Sequence, residues 1–279
     1  MERHQVEIRD PDGIFRVAWR DRELFRWSWR PKLLRRILPA PFAARHIEYS
    51  LLASTDDDVQ PSERLLSIII QVLQRAADVR VEDLDRRVPA DFPYPPSRWP
   101  GEHYRLLAAF VAVMQPRCIV DIGTEAGLSA LALKQLLPTD GHVVTFDLTP
   151  WRKYPSTCLS EQDFADRRLT QYTDDLSDPR VMQRHHALLR QAELIFLDAA
   201  KDGVMESKFL ANLQHVPFVK PPLLVLDDIR VWTMLKVWRE IPYPKLDVTS
   251  FGHWTGTGLV DWGGEPAVKH PPVSDGKKR

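Results

Sequence analysis

Cysteine is scarce in this chain: two in 279 residues, Cys118 and Cys158. That excludes a disulfide framework and a zinc knuckle, and Cys118, inside the apolar run RCIV, reads as a buried thiol. Net charge is absent too, with Lys plus Arg at 38 against Asp plus Glu at 38. A balanced chain has no global field to draw in nucleic acid or an anionic membrane. No apolar run approaches the roughly 18 residues that a bilayer span requires. The opening MERHQVEIRD has no apolar core of a secretory signal, so the expected compartment is the cytosol. An apolar fraction of 44% supplies a full globular core.

Composition divides the chain in three. Residues 1–46 carry eleven Lys or Arg against six Asp or Glu, and begin with HQVEIRD, a DPDG turn and IFRVAWRD, the pattern of a β-hairpin. RPKLLRRIL then reads as a short basic helix. PSERLLSIIIQVLQRAADV is an apolar-periodic helix with Ser62 as its N-cap. Five prolines between Pro89 and Pro100 exclude a helix or central strand there, and the domain boundary is placed at this linker. The expected division is an accessory α+β region at 1–100, a main domain at 101–264 and a disordered tail at 265–279.

From Gly101 the pattern alternates. Strands are expected at CIVDIG, HVVTFD, RLTQY, ELIFLD, LLVLDD, KLDVTSF and TGLVDW, with helices between most of them, including VMQRHHALLRQ and VWTMLKVWREI. Apolar strands alternating with helices give a doubly wound, mostly parallel seven-stranded sheet covered on both faces. The last two strands are joined through GHWTG with no room for a crossover helix, so they form an antiparallel hairpin.

The acids are the most informative feature. Asp121, Asp147, Asp198, Asp227 and Asp228 all fall at carboxyl ends of expected strands, where open α/β sheets bind ligands. Any one of them could cap the next helix; five together are poorly explained that way. Asp121 opens D-I-G-T-E-A-G-L-S, a strand-to-helix turn with Gly123 and Gly127. A pyrophosphate loop wants G-x-G-x-x-G, whereas this one has an acid before it and Glu125 within it, which suits a cationic ligand. Asp147 follows 26 residues after Asp121, where an acid grips ribose hydroxyls. A phosphate-free nucleoside with a positive appendage is S-adenosylmethionine.

VDIGTEAGLS followed by TFD resembles the first two motifs of class I S-adenosylmethionine-dependent methyltransferases, most closely the metal-dependent catechol-type O-methyltransferases, over roughly residues 101–262. By that resemblance Gly123, Gly127 and Ser129 contact the methionine portion, Asp121 orders its amino acid end and Asp147 holds the ribose. Asp174 or its neighbour Asp175 would contact the adenine, though either could cap the following helix. FLDAAKD and LVLDDIR resemble the catechol-type metal site: Asp198, Asp227 and Asp228 would bind Mg²⁺, and Lys201 would be the general base. The family's pair is usually Asp-Asn and here is Asp-Asp, as in enzymes that methylate sugars and antibiotic scaffolds, which loosens the choice of substrate.

A lysine base needs a depressed pKa, which a nearby cation would provide. Lys201 also reads as a solvated helix-opening lysine, and Asp228 as a cap for a helix near Val231. His185 and His186 are expected on a helix remote from the strand ends. His253 and Trp254 lie in the last hairpin loop, near enough to shape an acceptor pocket, while Trp232, Leu235 and Trp238 share a core-facing helical spacing. The expected partner is a small hydroxylated acceptor, a phenol or a sugar. Competing readings are a metal-independent methyltransferase, a binding module without turnover, and an RNA or protein methyltransferase docking through the basic arm with Trp19, Trp27 and Trp29. A lid or homo-oligomer-forming segment is the preferred reading of that arm, with nucleic acid not expected as a partner.

Overall fold

The computed structural model describes residues 6–9, 14–19, 22–28, 59–89, 95–231 and 233–266. The chain divides into two compact units, Met1–Ala43 and Ala44–Arg279. In the first, β1 (Val6–Arg9), β2 (Ile14–Trp19) and β3 (Arg22–Ser28) form an antiparallel meander in that order. The expected hairpin is its first two strands. The third was not read from the sequence because no Gly or Asn after IFRVAW marks a tight hairpin there. The expected basic helix RPKLLRRIL, the Trp232 side chain and nearly all of the 265–279 tail lie outside the described residues.

The second unit is built on seven strands: β4 (Cys118–Ile122), β5 (His142–Phe146), β6 (Leu169–Tyr172), β7 (Leu194–Leu197), β8 (Leu223–Asp227), β9 (Lys245–Asp247) and β10 (Thr257–Asp261). Their order is β6-β5-β4-β7-β8-β10-β9. The first five are parallel; β10 runs antiparallel to both β8 and β9. KLDVTSF is strand only to Asp247, after which Thr249–Phe251 tightens into a 3₁₀ turn.

Side chains alternate between two cores, as a pleated strand requires. Ile119, Val143, Leu169, Phe196 and Val225 face one layer, and Val120, Val144, Ile195, Leu224 and Val260 the other. The first layer is covered by α1 (Glu63–Ala76), α3 (His103–Met114) and α4 (Leu128–Gln135), with the single turn α2 (Glu82–Asp85) beside them. α8 (Val204–Leu213), α9 (Met234–Glu240) and the broken pair α6 (Pro179–Arg184) and α7 (His186–Leu189) cover the second. One further turn, α5 (Glu161–Phe164), precedes β6. Leu235 and Trp238 are buried in α9, as their spacing implied.

The boundary expected at the prolines does not separate α1 from the sheet. Leu65, Ile69 and Val72 recur at helical spacing, are fully or nearly fully buried, and share one core with α3 and the strands. Each such side chain contributes about 1.5–3 kcal/mol by leaving water. Ser62 caps α1 as expected, its Oγ accepting from Leu65 N at 3.2 Å, and the same hydroxyl donates to Asp261 Oδ2 at 2.7 Å at the end of β10. Asp261 also pairs with Arg64. No helix among the described residues is long and apolar enough to cross a membrane.

Candidate active site

Strand order reverses between β4 and β7, which opens a crevice beyond their carboxyl ends. Gly123 stands at that switch with φ +101°, and a Cβ there would lie 1.8 Å from the Asp198 carbonyl oxygen. Glycine is therefore required by backbone crossing backbone, and the strand-end loops meet closely enough to form one rim. A cleft of about 880 Å³ lies along it, lined by Gly123, Asp147, Asp174, Asp175, Asp198, Lys201, Asp227 and Asp228, together with Glu125, His103, Tyr104 and His253. Eight of the eleven residues assigned from the sequence to cofactor, metal or catalysis thus share one cavity.

Asp121, Gly127 and Ser129 stand behind the loop. Asp121 is fully buried; Ser129 Oγ lies 3.4 Å from its Oδ2, and Oδ1 has no hydrogen-bond partner among the described residues. A Cβ on Gly127, at φ +86°, would meet the Leu159 side chain, so this glycine serves packing at the start of α4. Burial pushes Asp121 up to about 7; the Thr145 and Ser129 hydroxyls oppose the rise, and the charges of Asp198 and Asp147 assist it. A carboxyl raised in the fold holds its proton there after the unfolded chain has lost it near pH 4. The fold then loses stability as pH climbs from about 4 to 7. Asp121→Asn in ligand-free protein should remove that loss, with a melting temperature a few degrees above wild type at pH 8 and no gain at pH 4. A difference that stays constant with pH would contradict this assignment.

At the glycine-loop end, Asp147 is held by two backbone amides: Glu125 N donates to Oδ2 at 3.0 Å and Thr149 N to Oδ1 at 2.8 Å. Asp174 accepts from Arg184 at 3.1 Å and contacts His185 Nε2 at 2.8 Å. His185 also meets the edges of Phe146 and Tyr172. The sequence placed His185 away from the strand ends; instead the helix breaks at this residue, between α6 and α7, and turns its ring toward the rim. Asp178, not Asp174 or Asp175, caps α6.

At the other end, Asp198, Asp227 and Asp228 bring carboxylate oxygens within 4.8 Å of one another. Lys201 Nζ sits among them, 2.6 Å from Asp198 Oδ1, 3.5 Å from Asp227 Oδ2 and 2.6 Å from Asp228 Oδ2. Lys201 is therefore not a solvated lysine. Burial works against its charge, but the three carboxylates outweigh that and raise its pKa, the reverse of what a base requires. It can give up its proton readily only where further positive charge is added beside it. Burial, then repulsion from Asp227, pushes Asp198 upward. Burial alone would raise Asp227 as well, but His103, His253 and Lys201 pull it down.

Asp228 is no helix cap: α9 begins at Met234, and Asp228 accepts from the Thr255 hydroxyl. Glu125, Lys201 and Asp228 all have positive φ, at 43°, 60° and 58°, and all line the cleft. Such backbone persists only when the surroundings impose it. For Lys201 the buried Glu206 does so, accepting from Lys201 N at 2.6 Å and Gly203 N at 2.8 Å. His253 Nδ1 lies 2.8 Å from both Asp227 oxygens, so the hairpin loop does reach the site. Trp254 does not line the cleft; it is 62% exposed and faces Trp99 at 5.8 Å. His103 carried no sequence signal.

Residues 77–214 match the family model described as O-methyltransferase. None of the curated proteins matches the sequence. An O-methyltransferase from Bacillus cereus in complex with SAH is 19% identical, with 70% of this chain and 90% of that one covered and a TM-score of 0.42. The O-methyltransferase TomG from Streptomyces achromogenes, in complex with SAM, is 16% identical over 74% and 92%, with a TM-score of 0.42. A methyltransferase from Geobacter sulfurreducens is 14% identical over 70% and 88%, with a TM-score of 0.41. Residues 77–214 belong to the O-methyltransferase family, and the chain, with its β6-β5-β4-β7-β8-β10-β9 sheet, is a methyltransferase of the class I fold.

Proposed function

We propose that this enzyme moves the methyl group of S-adenosylmethionine to a hydroxyl oxygen of a small molecule, a phenol or a sugar, with a divalent cation held by Asp198, Asp227 and Asp228. One observation carries the reading: a ribose-type acid and a glycine loop at one end of a single cleft, and three converging carboxylates at the other. The residues fit both groups. Gly123 brings bare backbone to the cleft, Asp147 is oriented by two amides with lone pairs to spare for a diol, and the partnerless Asp121 Oδ1 favours positive charge nearby. Three hard oxygen donors against one lysine leave negative charge that suits a divalent ion.

When bound, S-adenosylmethionine supplies an electrophilic methyl and the cation lowers the pKa of an acceptor hydroxyl. The protein's own part is placement and proton handling. Asp147, and Asp174 braced by His185, fix the nucleoside along the rim, which converts methyl transfer into a positioned, effectively unimolecular step. Lys201 Nζ, held protonated by the three acids, would lose its proton to solvent with a divalent charge beside it, and as the neutral amine would receive the hydroxyl proton. His103, Tyr104 and His253 wall the space left for the acceptor.

The lysine's place among the acids also favours a second reading, in which Asp198, Asp227 and Asp228 serve only to hold Lys201 and no ion is used. Transfer of a labelled methyl group to a panel of phenols and sugars, with and without EDTA, separates the two. Loss of turnover by about 100-fold, restored by added divalent ion, is expected for the first. Undiminished turnover would establish the second.

A further inference from the structure

Asp227 has two sides. One faces Lys201; the other faces two imidazoles that an oxygen-only centre has no need of. His103 comes from the first turn of α3 and His253 from the loop before β10, so distant stretches of chain converge on one carboxylate. Their rings lie 5.2 Å apart, edge to face. His253 Nδ1 is 2.8 Å from each Asp227 oxygen, and His103 Nδ1 is 3.7 Å from Oδ1.

His103 is the more telling of the two. It is only 4% exposed, lines the cleft, and at 3.7 Å stands beyond hydrogen-bonding distance of Asp227. A cleft-lining imidazole beyond hydrogen-bonding distance of its neighbouring acid is open to a ligand at that point. Donor atoms of His103, Asp227 and His253 all lie within 4.8 Å of one another, compatible with donors gathered around one ion. Imidazole suits Fe²⁺, Ni²⁺, Cu²⁺ and Zn²⁺, whereas carboxylate and water serve Mg²⁺ and Mn²⁺ alike.

We propose that His103 and His253 join Asp227 as metal ligands, making this centre a mixed nitrogen–oxygen site that selects a first-row transition ion over Mg²⁺. The inference rests on the metal-dependent reading above and changes the identity of the ion.

The test uses the full chain loaded with Mn²⁺ and electron spin-echo spectroscopy, which detects nitrogen bound to the ion and needs no substitution. Modulation from ¹⁴N is expected, replaced by the ¹⁵N pattern in protein grown on ¹⁵N-histidine. Titration calorimetry supplies the second measurement: a preference for Zn²⁺ over Mg²⁺ of about 100-fold, reduced at least tenfold in His253→Ala. Bound Mn²⁺ without nitrogen modulation, or a substitution that weakens both ions equally, would overturn the mixed site and leave metal-dependent methyl transfer standing. Absence of any divalent-ion binding would overturn both.

Discussion

Asp227→Asn should lose about 1,000-fold or more in turnover while binding S-adenosylmethionine within about twofold of wild type, because the side chain sits at the far end of the cleft from Asp147. Asparagine keeps the shape and removes the charge. That charge is the one feature shared by Lys201, His253 and His103, at 3.5, 2.8 and 3.7 Å. Without it the centre has one oxygen anion fewer, and His253, although the amide oxygen can still accept from it, loses the charge that helps raise its pKa against the opposing pull of burial. Steady-state kinetics and calorimetry with the divalent ion and with cofactor, run separately, check the split. Turnover within threefold of wild type would remove Asp227 from the reaction.

Gly123→Ala is expected to cost about 3 kcal/mol or more, from a side chain held at positive φ plus overpacking against backbone. The added Cβ meets the Asp198 carbonyl oxygen at 1.8 Å and its carbon at 2.7 Å, and neither can retreat without parting β4 from β7. Gly127→Ala is the control. It shares the strain of positive φ, at +86°, but its obstacles are the Leu159 side-chain carbons, at 2.3–2.8 Å, and a leucine can change rotamer. Thermal melts should place Gly123→Ala several degrees below Gly127→Ala, with cofactor binding lost first in the former. Equal effects would mean that the crossing of loop and strand does not shape the rim.

The rim was legible from the sequence because its logic is local. An acid after an apolar strand marks a carboxyl end, and in a parallel sheet all such ends point one way, so Asp147, Asp198, Asp227 and Asp228 had to converge. What joins them is not local. His103 is one histidine at the head of a helix, with nothing in its neighbours to mark it, and it reaches Asp227 only because α3 packs across the sheet. Lys201 was placed at the site by the resemblance of FLDAAKD to the catechol-type pattern, yet its charge state depends on three carboxylates from two strand ends, and its raised pKa could not be read from that pattern. α1 was recognised as amphipathic; that its apolar face shares the core of the sheet depends on Leu65, Ile69 and Val72 meeting partners far along the chain.

The position of β10 governs when the enzyme can come into being. It is the last strand among the described residues, yet it lies inside the sheet, with β8 on one side and β9 on the other, and its preceding loop delivers His253 and Thr255 to Asp227 and Asp228. Until Thr257–Asp261 leaves the ribosome, β8 has a bare flank and the acids at its tip stand without these neighbours. A chain that stops short of Thr257 would hold the nucleoside half of the cleft but leave the flank of β8 bare, without the strand that fixes the loop over Asp227 and Asp228.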